Sequence, residues 1–300
     1  MIIENVPSIF QPSYKSNYPG YSSGLNMEEI FYEFFIKEKD TIITEYIYLP
    51  IFWTSYYVLN NYGENINTLL QYLNKLNKNK KYFTIVQYAS GIYIDEPINN
   101  LTVFSAGGGG LNKKEESVRE ELFFNLKRHI FHGEISNYSI PLICYPLFPN
   151  LNINKPLYCS FMGRYDTHKC RIIMKNELQK YDNFKFYDSL GFNQYKEILN
   201  KSIFTLAPRG YGYTSFRIYE AILAGSIPIY IWENKKIIPF KEELNWNEFS
   251  VIIEEKDIMN LPNILKNCNI EKMQKKIQEV REIFTFEGTY NYIKQKLLLK

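Results

Sequence analysis

The stretch "LAPRGYGYTSFRIYEAILAGSIPIYI" at residues 206–231 decides the fold class. It opens with the end of an apolar run, passes through a glycine-containing turn and an amphipathic segment, and closes in a second apolar run. This pattern predicts a strand, a turn, a helix and another strand. Apolar strands that alternate with helices are typical of a parallel sheet covered on both faces.

The same alternation extends over the second half of the chain. Strands are predicted at 157–163, 184–189, 203–209, 227–232 and 249–255, and helices at 167–181, 191–202, 215–225, 258–285 and 288–300. We therefore predict a doubly wound α/β domain over residues 152–300. Residues 1–151 alternate less regularly and are predicted to form a second α/β domain, which ends in a proline-punctuated linker at 145–156. The last helix is a candidate to cross back to the N-terminal domain.

Composition narrows the class of protein. A hydrophobic share of 45% with 22% charged residues indicates a globular chain. The formal net charge of +3 comes without an arginine-rich stripe, so no nucleic-acid partner is expected. The three histidines and four cysteines have neither metal-site spacing nor a CxxC pair. Neither a zinc module nor a disulfide framework is therefore predicted.

The N-terminus does not have the pattern of a signal peptide, which is a basic start followed by an apolar core. No apolar stretch approaches the ~20 residues needed to span a membrane. We expect a soluble cytoplasmic protein without a transmembrane segment.

The turn within the quoted stretch has the chemistry of an anion site. Ligands of open parallel sheets bind beyond the carboxyl ends of the strands. Gly210 and Gly212 would let the turn bend tightly and let backbone amides approach a ligand. Thr214 or Ser215 is a natural N-cap, and the amides of the first helical turn beyond it carry partial positive charge. Phosphate is the commonest biological anion at such a place.

Three charged residues near this turn match the parts of a nucleotide, two of them suited to the phosphates and one to the ribose. Arg209 precedes the turn and Arg217 lies in the first helical turn, where both can donate bidentate hydrogen bonds to phosphate. Glu220 follows on the same helical face and is suited to ribose hydroxyls, because a phosphate would repel its carboxylate. A solvent-exposed Arg217–Glu220 pair on an ordinary helix is the alternative. The joint pattern favours nucleotide binding.

The quoted stretch, continued by Pro239 and Phe240, resembles the signature of the exostosin-like glycosyltransferases. The shared pattern is a Pro-Arg-Gly turn, Ser-x-Arg, Glu-Ala, a glycine and an Ile-Pro strand. "YCSFMGR" at 158–164 looks like the strand and Gly-Arg that open the family's nucleotide domain. Weaker similarities lie at 48–54, 82–88 and 104–110. The chain departs from the family in showing no membrane anchor, which favours a bacterial or viral cytoplasmic setting, and in having Ser226 where cysteine is frequent.

The resemblance implies the GT-B architecture, with two Rossmann-like α/β domains facing a central cleft. It also implies a nucleotide-sugar donor, most often a UDP-sugar, a glycan acceptor and inversion at the anomeric carbon. At the matching positions it implies diphosphate contacts from Arg164, Arg209, Ser215 and Arg217, a ribose contact from Glu220, and a pocket lining of Gly210, Tyr213 and Thr214.

Glycosyl transfer needs stabilisation of the departing diphosphate and usually a base for the acceptor. The helix terminus and the arginines would stabilise the departing diphosphate. Enzymes without such groups hold a divalent cation with paired aspartates, and no Asp-x-Asp pair occurs in the chain. We therefore expect no cofactor and no essential divalent metal. The base is expected from the N-terminal domain. Its candidates are Asp95, Glu96, His132 and Glu134, with Glu115 and Glu116 weaker, and Asp95 is slightly favoured because it follows a predicted strand.

A second class of protein stays open at this point, namely a catalytically inactive nucleotide- or glycan-binding protein of the same fold. A nucleotide-sugar epimerase is disfavoured, because no GxGxxG loop follows a strand. The pattern does not indicate the donor sugar, the acceptor, the linkage or the oligomeric state.

Overall fold

The structure is a computed structural model. It describes residues 1–13, 25–63, 65–88, 91–94, 98, 100–113, 117–122, 126–131, 138–143, 154–188 and 191–298. The chain divides into two units, each with its own parallel sheet. Unit 1 comprises Met1–Arg119, His129–Cys144 and Phe286–Lys300, and unit 2 comprises Glu120–Arg128 and Tyr145–Thr285. The domain boundary predicted near residue 151 lies outside the described residues and stays a prediction.

The strands of the first half are β1 (Ile2–Ile3), β2 (Tyr46–Tyr48), β3 (Lys81–Val86), β4 (Ile92–Ile94), β5 (Leu101–Ser105), β6 (Leu111–Lys113), β7 (Ser117–Leu122), β8 (Leu126–Phe131) and β9 (Tyr138–Ser139). The helices are α1 (Met27–Glu38), α2 (Trp53–Leu59) and α3 (Asn67–Leu73). The central sheet has the parallel order β1-β2-β3-β5-β9, which follows the chain without a reversal. The pairs β4–β6 and β7–β8 form separate two-stranded ladders.

The strands of unit 2 are β10 (Leu157–Met162), β11 (Phe184–Tyr187), β12 (Ser202–Pro208), β13 (Ile227–Trp232) and β14 (Val251–Glu254). The helices are α4 (Lys169–Leu178), α5 (Phe192–Lys201), α6 (Phe216–Leu223), α7 (Leu261–Lys266) and α8 (Ile270–Val280). Every ladder is parallel, in the order β11-β10-β12-β13-β14. The order reverses direction between β10 and β12, and ligands of doubly wound sheets bind at such a reversal.

Two parallel-sheet units with helices confirm the predicted α/β class. The predicted cleft between two domains stays a prediction. The helical stretch predicted around 258–285 consists of a 3₁₀ turn, α7, α8 and a second 3₁₀ turn. The break before α8 has a local cause, because the side chain of Asn269 accepts a hydrogen bond from the amide of Lys272 at 3.0 Å and so starts a new helix.

The last helix, α9 (Phe286–Leu297), packs against α1 within unit 1. Tyr290 lies 4.8 Å from the ring of Phe35, and Lys294 forms an ion pair of 2.7 Å with Glu38. The aromatic and apolar side chains of α9 thus complete the core next to α1.

Glu28, in the first turn of α1, is a buried acid that joins three elements of unit 1. Its Oε1 accepts hydrogen bonds from the amide and hydroxyl of Thr54 in α2, at 3.2 and 2.7 Å. It also accepts one from the amide of Gln87, directly after β3, at 2.9 Å. Burial raises the pKa of Glu28 to about 6, although these hydrogen bonds oppose the rise.

No helix among the described residues is long and apolar enough to cross a membrane. The cytoplasmic location stays a prediction.

Candidate nucleotide site

The reversal in unit 2 brings the predicted arginine segments to one edge of the sheet. β10 and β12 pair directly, with Cys159 opposite Phe204 and Ser160 opposite Thr205. The segment that starts at Gly163 follows β10, and the segment that starts at Arg209 follows β12. Both segments leave the carboxyl ends of adjacent strands, which is where a ligand of this sheet is expected.

The helix α6 starts at this edge with a side-chain cap. The Oγ of Ser215 accepts a hydrogen bond from the amide of Arg217 at 3.4 Å, which makes Ser215 the N-cap. Thr214, the other candidate for the N-cap, is buried, and its hydroxyl lies 3.4 Å from that of Tyr219. The amides at the start of α6 carry partial positive charge.

Arg217 lies against the end of β10. Its guanidinium is 4.7 Å from the ring centroid of Phe161 and 5.8 Å from that of Tyr195, distances typical of cation–π contacts. A Cβ atom on Gly163 would lie 2.4 Å from Nη2 of Arg217. Gly163 therefore leaves the space in which Arg217 lies.

Arg209 is almost fully buried and is held by unit 2 itself. Its Nε donates to the carbonyl of Gly212 at 3.2 Å, and its Nη1 donates to the carbonyl of Glu233 at 3.2 Å. The ring of Tyr213 lies 5.0 Å from the guanidinium carbon. The third nitrogen, Nη2, has no hydrogen-bond partner among the described residues. A buried cationic donor without an acceptor costs free energy, so an oxygen of a bound anion would stabilise it.

Glu233, directly after β13, is the main counter-ion of this cluster and was not predicted from the sequence. Its carboxylate lies 2.8 Å from Nζ of Lys169, 3.0 Å from Nε2 of His168 and 3.6 Å from Nη1 of Arg209. Burial alone would raise the pKa of Glu233, but these neighbours outweigh burial and lower it. Glu233 therefore stays ionised at neutral pH.

His168 is a neutral member of the same cluster. Its Nδ1 accepts a hydrogen bond from the amide of Cys170 at 3.2 Å, so the proton lies on Nε2 and is donated to Glu233. Burial, and then the charge of Arg209, lower the pKa of His168 to about 3. The contact with Glu233 is accordingly a hydrogen bond rather than an ion pair at neutral pH.

One group among the described residues has metal-ligand chemistry. Ligand atoms of His168, Cys170 and Glu255 lie within 4.8 Å of one another. Both nitrogens of His168 already have partners, and burial raises the pKa of Cys170 to about 12, which opposes the thiolate that a metal needs. Arg171 and Arg209 also make the surroundings of His168 positive. This cluster is poorly suited to a divalent cation, and the predicted absence of an essential metal stays a prediction.

Arg171, in the first turn of α4, joins the two strand ends and was also missed. Its Nη1 donates to the carbonyl of Arg164 at 2.9 Å, and its Nε donates to the carbonyl of Arg209 at 2.9 Å. Its Nη2 lies 3.3 Å from the carbonyl of Pro208. The sequence gives one sign that Arg171 joins the strand ends, which is the position of an arginine on the buried face of the helix predicted at 167–181.

The other predicted contacts lie around these. The side chain of Arg164 is exposed, and its Nε donates to Asp166 at 2.9 Å. Glu220 is buried and accepts a hydrogen bond from the hydroxyl of Tyr195. Two further predicted residues make backbone contacts: the carbonyl of Tyr213 accepts from Tyr230 at 2.6 Å, and the amide of Gly210 donates to Thr214 at 3.4 Å.

The predicted bases Asp95, Glu96, His132 and Glu134, with the weaker Glu115 and Glu116, lie outside the described residues. Their role stays a prediction.

Comparison with known proteins relates part of the chain to one family. Residues 146–268 match the family model described as the Exostosin GT47 domain. A probable glycosyltransferase of Arabidopsis thaliana is 28% identical over 180 residues, which is 55% of this chain and 38% of the relative. An exostosin-1 homologue of Caenorhabditis elegans is 33% identical over 89 residues, or 30% of this chain and 22% of the relative. Exostosin-1 of Bos taurus is 30% identical over 107 residues, which is 35% of this chain and 14% of the relative.

Solved structures of glycosyltransferases are also similar. The GtfA/B complex covers 90% of this chain and 60% of its own, at 10% identity and a TM-score of 0.44. The match to the pneumococcal O-GlcNAc transferase GtfA, solved with UDP and GlcNAc, covers 77% of this chain and 59% of the transferase chain. The identity is 13% and the TM-score is 0.37. Both TM-scores are below 0.5, and the fold assignment rests on the two parallel sheets and on the family match.

The chain has an α/β fold with two parallel-sheet units, and part of it matches a glycosyltransferase family. More narrowly, residues 146–268 match the exostosin GT47 domain, and the predicted resemblance to the exostosin-like glycosyltransferases is confirmed. The chain spans less than half the length of the curated relatives named above.

Proposed function

We propose that this protein transfers a sugar from a nucleotide-diphosphate donor, a UDP-sugar, to a hydroxyl of a glycan with inversion. The observation that carries the proposal is the convergence at the reversal of the unit 2 sheet. There the buried cation Arg209, the ring-packed cation Arg217 and the Ser215-capped start of α6 all belong to segments beyond strand carboxyl ends. Cationic side chains and helix amides of this kind stabilise an anion, here the diphosphate, whose negative charge grows as the glycosidic bond breaks.

The division of labour within the pocket follows from charge. Arg209 contributes the hydrogen-bond donor Nη2, and Arg217 contributes a guanidinium that contacts two aromatic rings. Both are suited to phosphate oxygens, together with Arg164 and the amides of α6. The carboxylate of Glu220, already bound to Tyr195, is suited to ribose hydroxyls. Gly210, Tyr213 and Thr214 complete the lining.

Fixed cations can take the place of a divalent metal in this pocket. Arginines keep their charge at all relevant pH values and need no ion to neutralise a departing diphosphate. We therefore propose metal-independent chemistry, with inversion by direct attack of the acceptor hydroxyl. The base would be one of the residues predicted for this role in the first half of the chain, with Asp95 favoured over Glu96, His132 and Glu134.

Two charge-removing variants test the pocket. We expect Arg217→Ala and Glu220→Ala each to weaken UDP binding at least tenfold, because each removes a group assigned to the nucleotide. Isothermal titration calorimetry measures the affinity, and circular dichroism checks that each variant is folded. Lys185→Ala, an exposed position on β11, is the matched control. Parental UDP affinity in both variants would show that the pocket is wrongly assigned.

A turnover experiment separates the enzyme from an inactive nucleotide- or glycan-binding protein of the same fold. The protein is incubated with a panel of UDP-sugars, with and without glycan acceptors and with EDTA present, and free UDP is measured. Release of UDP that resists EDTA supports the proposal. Saturable UDP binding without release from any donor would favour the inactive binder.

A further inference from the structure

We propose that Arg171 is a positioning residue of the nucleotide site, which sets the two strand ends for the diphosphate without touching it. This inference rests on the proposed function.

Arg171 joins two chain segments that are far apart in sequence. It binds one carbonyl after β10, that of Arg164, and two at the end of β12, those of Pro208 and Arg209, with its three nitrogens. The planar guanidinium offers five N–H donors in a fixed fork, so one side chain can hold both segments at once. A lysine ammonium at the same position cannot reproduce this geometry.

The three carbonyls also explain why a positive charge is placed there. Carbonyl oxygens at the carboxyl ends of parallel strands carry partial negative charge and would oppose an anion at this edge. Arg171 is 7% exposed, so its charge is poorly screened by water. It neutralises these oxygens and adds positive potential beside the site.

Arg171 is further connected to the proposed phosphate ligands through one ring. The guanidinium carbon of Arg171 lies 5.9 Å from the centroid of Phe161, and that of Arg217 lies 4.7 Å from the same centroid. A shift of Arg171 would therefore be felt by Arg217 as well as by the backbone of Arg209.

Gly210 gives an independent reason for this assignment. A Cβ at Gly210 would lie 3.1 Å from Nη2 of Arg171. Gly210 is not among the glycines with positive φ, so its backbone does not require glycine. A left-handed backbone is thus not the reason for this glycine. The structure assigns it the role of leaving space for Arg171.

The first experiment measures UDP and uridine affinity in Arg171→Lys. We expect UDP affinity to fall about tenfold and uridine affinity to stay unchanged, because only the diphosphate depends on the positioned segments. Arg281→Lys, an arginine of the same unit that contacts Glu282 at 3.5 Å, is the matched control. A lower melting temperature with unchanged UDP affinity would show a merely structural role and overturn the inference.

The second experiment is a double-mutant cycle with Gly210→Ala. That substitution keeps every functional side chain and adds a methyl group 3.1 Å from Nη2 of Arg171, so we expect it to weaken UDP binding by itself. In the Arg171→Lys background it should have little further effect. Additive losses would contradict the inference. If the parent protein binds no UDP, the proposed function fails, whereas normal UDP binding by the parent and by both variants defeats only the role of Arg171.

Discussion

At the scale of single residues, two glycines at the reversal of the unit 2 sheet each lie against an arginine from a helix. Gly163 faces Arg217 and Gly210 faces Arg171, with distances from a built Cβ of 2.4 and 3.1 Å. A Gly-Arg pair after a strand is easily interpreted as a flexible phosphate loop. Here the glycines provide space, and the cations that use this space come from α4 and α6.

The pair with the tighter contact gives a direct prediction. Gly163→Ala should weaken UDP binding about tenfold or more, because the new methyl group displaces the guanidinium of Arg217 and because Gly163 has a φ of +145°. Titration calorimetry measures the effect. Gly225→Ala is the matched control, since Gly225 also has a positive φ, +68°, but nothing lies within 4 Å of its Cβ position.

The control should lose stability without losing UDP affinity, at a cost of about 1 kcal/mol for a strained alanine. Equal loss of UDP affinity in both variants would mean that backbone strain, and not the displacement of Arg217, is responsible.

At the scale of elements, Glu28 links α1, α2 and the end of β3 through one carboxylate oxygen. The native protein holds its proton up to a pKa of about 6, whereas the ordinary value is 4.5. Between these pH values the native state binds more protons than the unfolded chain. The stability contributed by this group therefore falls as the pH rises from 4.5 through 6.

Glu28→Gln should remove this dependence, since the amide oxygen can accept the same hydrogen bonds and does not ionise. The free energy of unfolding of the parent, relative to that of the variant, is expected to fall by about 2 kcal/mol across the window. Urea unfolding of both proteins at pH 4.5 and 7.5 measures the difference. Parallel pH profiles would contradict the burial of an ionisable Glu28.

The elements also show what the sequence could predict. Strands β10, β12 and β13 could be predicted because each is a largely apolar run next to a helix of clear period. Strands β1 and β2 have two and three residues, too short for any periodicity to be visible. The capping and charged residues of the turn are neighbours in sequence and could be predicted together. They are Arg209, Ser215, Arg217 and Glu220. Arg171, Tyr195 and Glu233 reach them only through tertiary contacts, which no local spacing reveals.

At the scale of the whole molecule, the division into two units has a thermodynamic consequence. A ligand stabilises only the native state of the unit that binds it. If the nucleotide site belongs to unit 2, UDP at 100 times its dissociation constant should stabilise that unit by about 2.7 kcal/mol. Differential scanning calorimetry should then resolve two transitions, of which UDP shifts one.

The Arg217→Ala variant is the control for this measurement, because it should keep both transitions and lose the shift. A single transition that UDP shifts as a whole would indicate that the units unfold as one.

The placement of α9 has a consequence for biosynthesis. Unit 1 contains both the first residues of the chain and Phe286–Lys300, while all of Tyr145–Thr285 belongs to unit 2. A ribosome therefore synthesises all five strands of the unit 2 sheet before it makes α9, whose Tyr290 contacts Phe35. Until α9 is made, Phe35 lacks this aromatic neighbour, and nascent chains stalled before residue 286 should be the form that chaperones bind.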